Sequence, residues 1–115
     1  MTGALLQIDG DPLQEIRQEL HFGLETAIEH GFKSPIFVSA IGANGTLLGA
    51  RFREDDDHKW TCKVLQSVGE GLTSPINIMF VDMNTGNATR VLIDKQGATT
   101  FHWAVADTGE HSNRA

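Results

Sequence analysis

Trp60-Thr61-Cys62-Lys63-Val64-Leu65-Gln66-Ser67-Val68 can be read with two periods, and the choice between them decides how many helices the chain has. At 100° per residue, Trp60, Thr61, Val64, Leu65 and Val68 fall within an arc of about 140°. At period two, Trp60, Cys62 and Val64 face away from Thr61, Lys63 and Leu65. The helical period gathers more of the apolar residues, and Gly69 and Gly71 follow as a stop, although Thr61, Cys62, Val64 and Val68 are indifferent helix formers. The preceding Glu54-Asp55-Asp56-Asp57-His58 suits a helix start, where carboxylates cap free N–H groups and complement the helix dipole. Helix is the expectation here, with strand as the alternative over 57–68.

Upstream, Asp11 to about His30 is an amphipathic helix by every local sign. Asp11 can cap, Pro12 suits the first helical position, Gln14 stands where a capping box needs it, and Gly31 supplies the stop. Leu13, Ile16, Leu20, Leu24, Ala27 and Ile28 share an arc of about 120°, with Glu15, Glu19, Glu25 and Glu29 on the far side. Phe22 projects from that charged side.

From Pro35 the period changes to two. Ile36 to Ile41 and Thr46 to Arg53 flank Asn44-Gly45, the dipeptide suited to a two-residue type I′ turn. That turn pairs Ala43 with Thr46 and so sets Phe37 opposite Phe52, Ser39 opposite Ala50 and Ile41 opposite Leu48 on a core face. Ile36 and Val38 then share the other face with Arg51 and Arg53. The last third is a meander: Pro75 to Met83, Ala88 to Asp94 and Ala98 to Val105, joined by two short loops ending in Gly86 and Gly97. A three-residue loop at 95–97 sets Phe101 opposite Val91 and Thr99 opposite Ile93. At 84–86 two and three residues both fit, and the difference exchanges Phe80 with Val81 beside the core.

The resulting order is αββαβββ, an α+β class with a single five-stranded antiparallel sheet packed with two helices. This element order resembles the roadblock and longin type of domain and, more loosely, the profilin-like folds. The resemblance is one of element order and brings no catalytic or binding residue with it. Residues 1–107 form one α+β domain in this reading, and the polar stretch 108–115 is a disordered tail.

The chain has 115 residues, with 9 Lys and Arg against 15 Asp and Glu, a net charge of -6. No basic block offers to neutralise a phosphate backbone, so nucleic acid is not an expected partner. No run approaches the roughly 20 apolar residues of a membrane span. One cysteine, Cys62, excludes an internal disulfide and a CxxC motif, and with no signal-like start the expected location is a reducing cytoplasm.

No constellation for catalysis stands out. The 54–58 acidic run with Cys62 lacks both the alternating oxygens and central Gly of a calcium loop and a tetrahedral zinc set, so no metal is expected. The histidines are not spaced as partners of a nucleophile. Gly42 to Gly45 and Gly69 to Gly71 match neither phosphate-loop pattern, and no cofactor is expected. What remains is surface. Phe22, Ile36, Val38, Arg51 and Arg53 are the candidate interface, Arg90 and His102 a candidate polar patch, and Trp60, Met79 and Trp103 a candidate pocket between sheet and helices. The expected function is a noncatalytic interaction domain, a homodimer or a binder of another protein. A small-molecule-binding protein or minor enzyme using that pocket is the alternative.

Overall fold

The computed structural model of the chain describes residues 5–96 and 99–104. The chain opens with a strand, β1 (Leu5–Asp9), followed by a 3-10 turn over Asp11–Ile16 that runs directly into helix α1 (Arg17–Glu29). Six strands follow: β2 (Ile36–Ile41), β3 (Leu47–Glu54), β4 (Lys59–Val68), β5 (Ile76–Asp82), β6 (Ala88–Ile93) and β7 (Thr99–Ala104). They form one seven-stranded sheet in the order β1-β4-β3-β2-β5-β6-β7. β1 lies parallel to β4, and every other pairing is antiparallel. The α+β class stands, but the five-stranded sheet with two helices does not, and with the order αββαβββ goes the likeness to roadblock, longin and profilin-like domains. The expected boundary at 107 and the tail 108–115 lie outside the described residues.

The expected second helix is β4. Its acidic preface closes a hairpin instead of capping a helix: Asp55 and Lys59 pair across the turn through Asp55 N–H to Lys59 O at 2.9 Å. Asp55 Oδ1 accepts N–H bonds from Asp57 at 2.8 Å and Lys59 at 2.9 Å. His58 takes the left-handed position, with φ 63°, a place where Gly would have advertised the turn. Further along β4, the register with β3 jumps from Ala50↔Val64 to Gly49↔Gln66. This bulge leaves Leu65 as an extra residue and breaks the alternation. Val64, Leu65 and Val68 thereby acquire a helix-like spacing inside a strand.

The β2–β3 hairpin also departs from its expected register. Gly42 N–H donates to Thr46 O at 2.9 Å, so the loop holds three residues, Ala43-Asn44-Gly45. The cause is tertiary. Ala43 N–H donates to Thr73 O at 2.8 Å, and Asn44 donates through Nδ2 to Gly71 O at 3.0 Å and through its N–H to Thr73 Oγ1 at 3.1 Å. Tied to the 70–73 loop in this way, the turn shifts β2 by one residue relative to β3, and one residue of slip exchanges the faces of a strand. Ile36, Val38 and Ala40 enter the core opposite Phe52, Ala50 and Leu48.

At the next hairpin Asp82 N–H donates to Asn87 O at 2.8 Å, which makes the loop four residues long and puts Phe80 in the core, with Val81 half-buried behind it. Asp82 is itself buried. Its carboxylate accepts N–H bonds from Asn84 at 2.7 Å and Lys33 at 3.1 Å, binding this loop to the chain leaving α1. Burial pushes its pKa up, but the N–H donors of Asn84, Lys33 and Thr85 prevail and hold it below the usual carboxylate value. The β6–β7 register pairs Val91 with Phe101 and Ile93 with Thr99, as the three-residue turn requires.

The apolar stripe of the helical segment, Leu13, Ile16, Leu20, Leu24 and Ala27, covers one face of the sheet together with Phe32. Phe52 and Phe80 stack beneath it, ring centres 5.9 Å apart. Gly23 is what lets α1 descend onto them, because a Cβ there would meet Phe80 Cζ at 2.2 Å. Among the described residues no helix is long and apolar enough to cross a membrane.

Candidate functional site

One helical segment covers one face, and strand alternation sends an equal number of side chains to the other. On that open face, cross-strand neighbours form rows. Lys63, Arg51, Phe37 and Val81 stand in one row across β4, β3, β2 and β5, and Gln66, Gly49, Ser39, Met79 and Arg90 in the next. Ile41 (49% exposed), Val68 (52%) and Met83 (48%) extend the apolar area to both ends of the strands. A groove of about 320 Å³ runs over the middle, lined by Phe37, Leu65, Met79, Val81 and Met83. Gly49 and Ser39 contribute too little side chain to fill it.

Cations border this groove on both sides. Arg51, Arg53 and Lys63 lie toward β4 and Arg90 toward β7, while Asp9 enters the same face beside Lys63. None of the four cations forms a salt bridge among the described residues. Arg51 is the tightest of them: its Nε is buried and has no hydrogen-bond partner among the described residues. A shielded donor left unmet costs about 1–3 kcal/mol.

The expected site residues are scattered by this architecture. Ile36 and Val38 leave the interface for the core, through the register shift of β2. Arg51 and Arg53 remain on the open face, and Phe22, 52% exposed, lies on the outer side of α1, across the molecule from them. The expected pocket does not assemble: Trp60 is buried under the helical segment and Met79 lies on the opposite side of the sheet. Arg90 pairs with Met79 on β5 and its backbone with that of His102 on β7. The side chains of His102 and Trp103 lie outside the described residues. Phe37, Ile41 and Leu65 were missed as surface residues because they follow from the three-residue turn and the bulge, not from local composition.

Other chemistry is sparse. Burial, with Asp9 nearby, pushes the Cys62 thiol up to about 12, so at neutral pH it carries its proton and is a poor nucleophile. His58 Nδ1 lies 3.1 Å from Glu54 Oε2 and His21 Nε2 3.3 Å from Glu25 Oε2, both near the surface. A second cleft of about 330 Å³ at the helix start is acidic, with Asp11, Glu15 and Glu70 on its walls. There Glu15 Oε1 is engaged by the N–H of Leu72 at 2.9 Å. Among the described residues no three His, Cys, Asp or Glu side chains are grouped to hold a metal ion. Comparison with protein-family models, with curated proteins and with solved structures finds no match to this chain.

Proposed function

We propose that this chain is a noncatalytic association domain that works by seating another protein on the open face of its sheet. One observation carries the reading. Phe37, Ile41, Leu65, Val68, Met79 and Met83 stand between 38% and 52% exposed together on a face with no helix over it among the described residues, and a contiguous apolar patch of this kind marks an interaction site. Seven strands at about 4.8 Å spacing and about 20 Å of strand length give this face roughly 600 Å² in projection. With side-chain relief added, it matches the roughly 800 Å² that each partner buries in a standard interface. That match is also what supports a second reading, a homodimer through the same face.

The test is a photoreactive benzophenone side chain placed at Met79 in the full chain, in its native cells. A covalent adduct to one protein species is expected, lost when Phe37→Asp is added and absent when the probe stands at Gln18 on the back of the helical segment. An adduct of twice the chain's own mass selects the homodimer. No adduct at Met79, or equal adducts at both positions, overturns the association domain.

A further inference from the structure

We infer that the partner is an acidic amphipathic helix whose carboxylates flank an apolar stripe, with Arg51 receiving one of them; this rests on the open face being the binding surface. The first support is charge. Four of the chain's 9 Lys and Arg residues border the groove, against one carboxylate among the described residues, Asp9, in a protein whose net charge is -6. The cations are therefore gathered on this face instead of reflecting a basic chain, and complementary charge is what selects and orients a partner.

The second support is Arg51 itself. It stands in the same row as Phe37 and Val81, two residues that line the groove, and so borders the groove without lining it. The guanidinium of Arg51, which forms no salt bridge among the described residues, is the donor best matched to a carboxylate, which accepts two parallel N–H bonds.

The third support is size. Across the strands, Arg51 on β3 and Arg90 on β6 stand three strand spacings apart, about 14 Å, which admits a helix of about 10–12 Å diameter with acidic side chains reaching both rims. A second copy fits this pattern less well. A two-fold axis through the groove brings Lys63 of one copy toward Arg90 of the other, since they occupy opposite borders, and like charges then meet.

Two synthetic helical peptides of about 15 residues with the same leucine stripe, one flanked by Glu and one by Lys, titrated by fluorescence anisotropy against the full chain, test the inference. The Glu peptide should bind at least about ten-fold more tightly than the Lys peptide, and less tightly as salt rises. Arg51→Met should weaken it by about ten-fold or more and Arg51→Lys by less, with Arg90→Met as an independent variant on the other rim. Equal binding of the two peptides, insensitivity to Arg51→Met, or binding of neither peptide overturns the acidic partner. So does an oligouridine probe that binds as tightly as the Glu peptide. The benzophenone adduct at Met79 decides separately whether the face is an interface at all, so the two failures are told apart.

Discussion

The two faces of the sheet are built from the same strands and by the same alternation, yet they differ in almost every physical respect. Under the helical segment, Phe52, Phe80, Ile78 and Val91 are fully buried and close-packed. Across the same backbone, Phe37 and Met79 remain more than a third exposed beside guanidinium groups that form no salt bridge among the described residues. The covered face carries most of the stability, because there the apolar side chains leave water almost completely in the chain alone. On the open face the apolar side chains stay 38–52% exposed, so much of their surface leaves water only when something covers it, which is why it is the better place to seek function.

The largest expected effect tests that contrast directly. Phe80→Ala should cost about 3–5 kcal/mol in denaturant unfolding, through lost transfer free energy and the cavity left under Gly23. Met79→Ala, from the neighbouring position in the same strand, should cost less than about 1 kcal/mol. Comparable losses for the two would mean that the open face is already covered in the isolated chain. Next comes the charged exception on the covered side. Asp82→Asn removes the charge that the N–H groups of Asn84 and Lys33 stabilise, and should cost about 1–3 kcal/mol at neutral pH.

Its pH dependence has a definite sign. The folded carboxyl titrates below its ordinary 3.8, so its contribution is complete above that value and disappears as the pH falls through the folded pKa. Stability of the Asn variant should accordingly vary less than wild type as the pH is lowered below 3.8, followed by urea unfolding at each pH. The smallest effect is a gain. His58→Gly relieves a left-handed residue in the turn that launches β4 and should add about 0.5–1 kcal/mol to the unfolding free energy. A loss there would show that the contact of His58 with Glu54 outweighs the backbone strain.

The helical segment was legible because its signals are local. A proline at the first turn, a six-residue apolar stripe and a terminal glycine all lie within one local stretch, and neighbouring residues suffice to specify it, although its first six residues are 3-10 and Gly10, not the expected Asp11, stands at the cap. The β6–β7 register was legible for the same reason. β4 was not. Its launching turn puts His58 where Gly would be expected, and its bulge gives Val64, Leu65 and Val68 a spacing that a helix would also produce. β1 escaped because five residues with no turn signal of their own become a strand only by pairing in parallel with β4, about 54 positions away by the register Leu5↔Lys59.

The candidate site followed the same division. Alternation along β3 alone put Arg51 and Arg53 on one sheet face, whereas Ile36 and Val38 were assigned to it only by the wrong turn length, and Arg90 joins it through the β5–β6 register. By itself the sequence determined the class, the helical stripe, the β3 alternation and a concentration of arginine within an acidic chain, all consequences of period and composition. Tertiary structure alone decided which face of β2 is the core. That choice depends on hydrogen bonds from Ala43 and Asn44 to a loop some thirty positions away, and a single residue of slip exchanges every side chain between the core and the open face.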